Sequence, residues 1–172
     1  MEEVRFHIGG KQVRQGWQIV NIQQGPHVDF VADAANLSWV ADNSVAEVYA
    51  SHVLEHLPWQ GVVKALAEWH RVLKPNGKLC VAVPDIGTVA RMLDSPYLST
   101  VGVHHLLKLI YGGQVDEHDI HRAGFVQETL EQLLEQAGFF EIKRVASFGM
   151  FQDCSEIQFF GVPVSLNLEA HK

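Results

Sequence analysis

Two clusters of polar side chains stand out by type and spacing. The first is Ser51, His52, Glu55 and His56, four groups within six residues. The second is Asp116, Glu117, His118, Asp119, His121 and Arg122, packed into seven residues. Imidazoles change charge near neutral pH, so they can take or release a proton in a reaction. A single histidine suits an ordinary hydrogen-bonded role, whereas several polar groups converging at one strand end point to a site. His118 and His121 with a neighbouring carboxylate could also ligate a divalent ion. A His-x-x-His pair in a polar loop is not a distinctive metal spacing, however, and no metal ligands are assigned. Cys154 has no committed base beside it and is not read as a nucleophile.

The first cluster needs a strand to present it. Residues 45–50 carry Val48 and Tyr49, and residues 78–83 form an almost continuous apolar run; both suit buried strands. Between them Val62, Leu66, Trp69 and Leu73 recur at helical spacing, with Val63 and His70 flanking the stripe. Pro58 opens this helix, and Lys74, Pro75, Asn76 and Gly77 close it, since Asn-Gly supplies the positive φ of a sharp turn. Strand, helix and strand make a right-handed parallel crossover. Ligands on such a sheet bind beyond the carboxyl ends of the strands, here residues 51–56 and 84–87.

The remaining elements follow in order. Residues 4–8 read as the first strand, feeding Gly9-Gly10; residues 17–22 and 28–31 read as the second and third. The spacers 9–16 and 23–27 are too short for helical crossovers, which take about a dozen residues or more, so two helices are missing here. Extended connections or an antiparallel edge must replace them. Helices are expected over 88–93, 101–111 and 126–137, and closing strands over 139–148 and 159–168.

The chain has 172 residues, enough for one domain with a real core. It is 47% apolar, yet no run approaches the roughly 18 apolar residues of a membrane span, and the first residues have no signal-peptide pattern. It is expected to be cytoplasmic. Cys80 and Cys154 provide no disulfide framework and no zinc pair; Cys80 reads as a small core residue. A net charge of −7 argues against nucleic acid and leaves a small molecule, or a neutral to basic partner.

The strings YASHVLEHL, WHRVLKPNGKLCVAVPD and HRAGFVQETLEQLLEQAGF closely resemble the class I S-adenosylmethionine-dependent methyltransferases, specifically small type 11-like members, with a shortened amino-terminal half. The resemblance implies one α/β domain: a Rossmann-like, mostly parallel sheet with helices on both faces and an antiparallel pair of carboxyl-terminal strands. It also implies S-adenosyl-L-methionine as cofactor. His7, Gly9 and Gly10 then fall at the glycine loop, although IGGK is shorter than the usual Gly-x-Gly-x-Gly string. Asn21 stands where the family usually has an acid for the ribose hydroxyls. Asp33 matches the acceptor for the adenine amino group, with Ala34 offering a backbone N–H; Asp33 could instead cap the following turn. Ser51 and His52 fall beside the sulfonium, and Ala46 departs from an often acidic position.

Without a helix N-terminus at the glycine loop the cofactor carboxylate loses a favourable dipole, which Lys11 or Arg14 could replace; the alternative is that both are solvated loop charges. The general-base candidates are His52, His56, His118 and His121, acting on a polar small molecule or sugar hydroxyl. A non-catalytic binding module with the same fold is the alternative, favoured by the short loop, Asn21 and Ala46. A metal-assisted hydrolase using the histidine loop is a third reading. The sheet face left without helices is expected to need cover, and a homodimer would provide it.

Overall fold

The computed structural model describes residues 3–172. In chain order its strands are β1 (Val4–Ile8), β2 (Gln18–Asn21), β3 (Phe30–Val31), β4 (Val45–Ser51), β5 (Leu73–Pro84), β6 (Phe140–Arg144), β7 (Gln158–Phe159), β8 (Val162–Pro163) and β9 (Ser165–His171). Its α-helices are α1 (Trp59–Val72), α2 (Ile86–Leu93), α3 (Thr100–Tyr111) and α4 (Gln127–Gln136). Seven strands form one sheet in the order β3-β2-β1-β4-β5-β9-β6. The five on the β3 side run parallel, and β9 is antiparallel to both β5 and β6. This is the Rossmann-like architecture expected from the sequence.

The expected crossover is present. Val48 and Ala50 of β4, Leu79, Val81 and Val83 of β5, and Leu166 and Leu168 of β9 turn to one face. Val62, Leu66 and Trp69 of α1 and Leu130 and Leu134 of α4 pack onto them, removing this surface from water. The turn residues after α1 lie within β5. Val45 pairs with Leu73 and Glu47 with Lys78, so residues 74–77 bulge out of the ladder, with Asn76 at φ +61°.

No helix joins the first three strands. Residues 9–17 and 22–29 are extended or turned, and the strands they connect are parallel, so the first of the two expected solutions is the one used. The geometry permits it: nine extended residues reach about 30 Å, nearly twice the length of the five-residue β1.

The second face of the sheet bears Tyr49 and Cys80, packed with Phe151 and flanked by Trp17, Phe148 and Met150. Residues 148–157 supply this cover and contain a short 3-10 turn, Cys154–Glu156. Burial pushes the Cys80 thiol up, consistent with a core role. Farther along the same face, Arg5 lies 3.8 Å from Glu47, and Lys78 lies 2.6 Å from Glu169.

The closing strands differ from the sequence reading. The strand expected over 139–148 ends at Arg144, because Phe148 is drawn into the Tyr49 cluster. The strand expected over 159–168 is split. β7 and β8 form a separate hairpin in which Phe160 at φ +50° and Gly161 at φ +76° reverse the chain, and the sheet strand begins only at Ser165. No described helix is long and apolar enough to cross a membrane.

Candidate active site

A cavity of about 380 Å³ opens at the carboxyl ends of β1, β2 and β4. Its walls include Gly9, Asn21, Asp33, Ala34, His52, His56 and His118, which the sequence reading had drawn from widely separated segments. Lys11, Gln23, Val53, Glu117 and Arg122 complete much of the rest.

Each wall is held by an identifiable device. Gly9 sits at φ +73°, and a Cβ there would fall 2.5 Å from Val53 Cγ2, so only glycine lets β1 turn away beneath the cavity. The Asn21 amide ties two loops together. Its Nδ2 donates to Gly10 O at 3.1 Å, and its Oδ1 accepts from Gln23 N at 3.0 Å. Asp33 does cap a turn, its Oδ1 accepting from Ala35 N at 2.8 Å, while the residue still lines the cavity. Helix α1 fixes this loop from below: Trp69 Nε1 donates to Ala34 O at 3.0 Å and Glu68 accepts from Leu37 N at 2.9 Å. Arg71 adds bonds to Leu37 O and Val40 O.

His52 ends β4 in the left-handed region at φ +54°, unusual for a residue with a Cβ. Its backbone N–H still donates to Ala82 O at 2.9 Å. Both ring nitrogens have partners within the chain, Nδ1 lying 3.1 Å from Glu55 Oε1 and Nε2 3.0 Å from Ser165 Oγ. Glu55 is almost fully buried, and no hydrogen bond of good geometry reaches either of its carboxylate oxygens.

The two polar clusters of the sequence meet at this point. The Glu55 carbonyl accepts from Arg122 N at 2.6 Å and from Ala123 N at 3.1 Å, stapling the later loop onto the turn Leu54–His56. The His121 ring stands edge-on to that of His56, with centroids 4.8 Å apart. His121 Nδ1 lies 3.0 Å from Leu109 O. Burial lowers its pKa against the opposing pull of Glu55, so the ring is neutral near pH 7. His118 is not part of this group; it is half exposed on the cavity wall, 3.8 Å from Glu117.

Three candidate residues lie elsewhere. His7 is buried on the second face of the sheet, its ring centroid 4.0 Å from that of Phe151, and burial lowers its pKa to about 4. Gly10 lies flat against that ring, where a Cβ would sit 2.5 Å from His7 Cγ. Ser51 donates to Asp153 Oδ1 at 3.0 Å, beside the Tyr49 hydroxyl that donates to Oδ2 at 2.8 Å. Alternation explains both departures: His7 and Ser51 share the face of Tyr49, opposite Ile8 and Ala50. Glu55 is the residue the sequence reading undervalued, although its spacing three residues after His52 was visible.

Comparison with known proteins agrees with this geometry. Residues 10–81 match a family model described as a methyltransferase domain. No curated protein matches the chain in sequence. A S-adenosylmethionine-dependent methyltransferase from Archaeoglobus fulgidus superposes with a TM-score of 0.64 at 18% identity, over 99% of this chain and 86% of that one. The 1,6-didemethyltoxoflavin-N1-methyltransferase of Burkholderia thailandensis, solved with 1,6-didemethyltoxoflavin and S-adenosylhomocysteine, gives 0.62 at 16% identity over 98% and 70%. A possible histamine N-methyltransferase from Thermotoga maritima gives 0.52 at 20% over 91% and 65%. The chain therefore shares its fold with these S-adenosylmethionine-dependent methyltransferases over nearly its whole length, and its residues 10–81 match a methyltransferase-domain model.

Proposed function

We propose that this chain is a S-adenosylmethionine-dependent methyltransferase acting on a hydroxyl of a polar small molecule or sugar. The observation that carries the reading is the cavity itself: the carboxyl ends of three parallel strands bring Gly9, Asn21, Asp33, Ala34 and His52 onto one wall. Its volume lies within the roughly 300–1,000 Å³ of small-molecule sites. Gly9 also lines the cavity, its Cβ direction taken up by Val53. The small molecule bound by the Burkholderia relative, methylated there at a nitrogen, supports a small-molecule acceptor but not the hydroxyl.

When bound, the cofactor supplies an electrophilic methyl group on a sulfonium. Asp33 has a second carboxylate oxygen for an amino group, and Ala34 offers its N–H alongside. Asn21 Oδ1 already accepts one bond, which leaves one acceptor position for a ribose hydroxyl. Lys11 places a cation on the wall that lacks a helix N-terminus. His52, His56 and His118 line the space where an acceptor would lie; His52 has the buried Glu55 carboxylate 3.1 Å from its Nδ1, and its Nε2 would have to leave Ser165 Oγ to act as a general base. The chain's task is mainly to position an acceptor oxygen and remove its proton.

The non-catalytic module is the second reading, favoured by the Asn21 amide being engaged by Gly10 and Gln23. Titration calorimetry with S-adenosylmethionine and S-adenosylhomocysteine separates the two, alongside Asp33→Asn, which keeps the turn cap and removes the charge. Micromolar binding weakened about tenfold by Asp33→Asn is expected. No heat and no gain in melting temperature at millimolar ligand would move the assignment to the module. We further propose a homodimer formed elsewhere than over the centre of the second sheet face, which residues 148–157 already cover; a monomer in light scattering at micromolar concentration removes it.

A further inference from the structure

Glu55, His56 and His121 each offer one ligand atom, and these atoms lie within 4.8 Å of one another. Two imidazoles and a carboxylate are a donor set for divalent transition metals, bound at about 2.0–2.2 Å. Inward shifts of less than about 1 Å bring all three onto one ion at such bond lengths.

Independent features point to a ligand at this position. The Glu55 carboxylate is 1% exposed, and no good hydrogen bond reaches either oxygen, a costly state for a buried charged group without further compensation. Buried His56 Nδ1 likewise has no partner. His121 is set as a metal-ligating histidine is usually set. Its Nδ1 faces the Leu109 carbonyl at 3.0 Å and so carries the proton, leaving the Nε2 lone pair free. Glu55 has two oxygens, so it can hold an ion through one and remain beside His52 through the other.

We infer that Glu55, His56 and His121 form a binding site for one divalent transition-metal ion at the floor of the cavity. Three protein ligands leave at least one position open, and of the three His56 borders the cavity, the side from which a further ligand would come. An oxygen donor suits that position. A hydroxyl bound through one lone pair keeps another for attack and becomes more acidic, whereas an amine bound to the ion has no lone pair left. This acceptor preference rests on the methyltransferase reading; the metal site does not.

The test uses the full chain, tag-free, stripped with chelator and without S-adenosylmethionine. Co²⁺ is titrated by calorimetry and by its visible absorption. One ion per chain with micromolar or tighter affinity is expected, weakened at least about tenfold in His121→Ala and in Glu55→Gln and unchanged in His104→Ala on the exposed side of α3. Should buried Glu55→Gln fail to fold by circular dichroism, His121→Ala carries the comparison. No binding by the unsubstituted chain, or equal binding by His121→Ala, overturns the site. A parallel S-adenosylmethionine titration in chelator keeps the two readings apart: cofactor binding with no Co²⁺ site removes the metal alone, and a Co²⁺ site without cofactor binding upholds the metal and removes its hydroxyl acceptor.

Discussion

His52 Nδ1 stands 3.1 Å from Glu55 Oε1, and the carbonyl of the same Glu55 accepts the backbone N–H groups of Arg122 and Ala123. One buried glutamate thus sets its carboxylate beside an imidazole and docks the second polar loop with its backbone. The strained φ of His52 is the conformational cost of aiming that ring at the strand end.

His52→Asn tests this aim. Asparagine tolerates the left-handed region, so the melting temperature should fall by only a few degrees, while methyl transfer should drop about 10²-fold or more if the imidazole takes the acceptor proton. Single-turnover rates beside thermal melts decide it; undiminished transfer would remove His52 from the chemistry.

Gly9→Ala should destabilise the fold by about 1–3 kcal/mol, through its positive φ and its clash with Val53. Val53→Ala in the same chain should recover the steric part and leave the conformational part. Urea unfolding of the two variants measures both, and a fully neutral Gly9→Ala would contradict the geometry.

His7 makes stability depend on pH. Burial lowers its pKa from 6.5 to about 4, against an opposing pull from Asp153. Between these values the unfolded chain holds a proton that the folded chain does not, so stability rises with pH across that window. The contribution of the neutral ring is complete above pH 6.5 and is lost as pH falls to 4, about 3 kcal/mol in all. His7→Phe, packed against the same Phe151 ring, should flatten that segment of the difference between urea midpoints at pH 7 and pH 4.5. An unchanged slope would show that His7 does not titrate this way.

Arg71 holds the cavity loop without touching the cavity. Its guanidinium reaches Leu37 O, Val40 O, Glu68 and Asp42. Arg71→Met should cost about 2 kcal/mol of stability by removing its bonds to Leu37 O and Val40 O, the first of which keeps the Val40 N–H, and should raise the KM for cofactor more than it lowers kcat. A fall in kcat alone would argue against a positioning role.

The strand–helix–strand centre was legible because its periodicities are strong and its punctuation, Pro58 and Asn76-Gly77, is chemical. The short spacers 9–16 and 23–27 were equally readable, since chain length forbids a helix there. The face on which a strand residue falls was harder. His7 and Ser51 sit one position away from Ile8 and Ala50, and that single step sends them behind the sheet. The break at Phe160-Gly161 was hidden inside an apolar run, where a residue other than glycine adopts positive φ. The pairing of His121 with Glu55 and His56 joins segments some sixty residues apart, and no local pattern signals it.

The amino-terminal wall of the cavity is built from residues 9–17 and 22–29, which are held by isolated bonds such as Gly9 N–H to Val20 O and Val28 N–H to Gly25 O. Their amides can therefore exchange with solvent hydrogen through small local openings, while those of β4 and β5 wait for the whole domain to come apart. Occupancy of the cavity should consequently be written on the exchange rates of these two segments first, making the least regular part of the chain the natural reporter of what it binds.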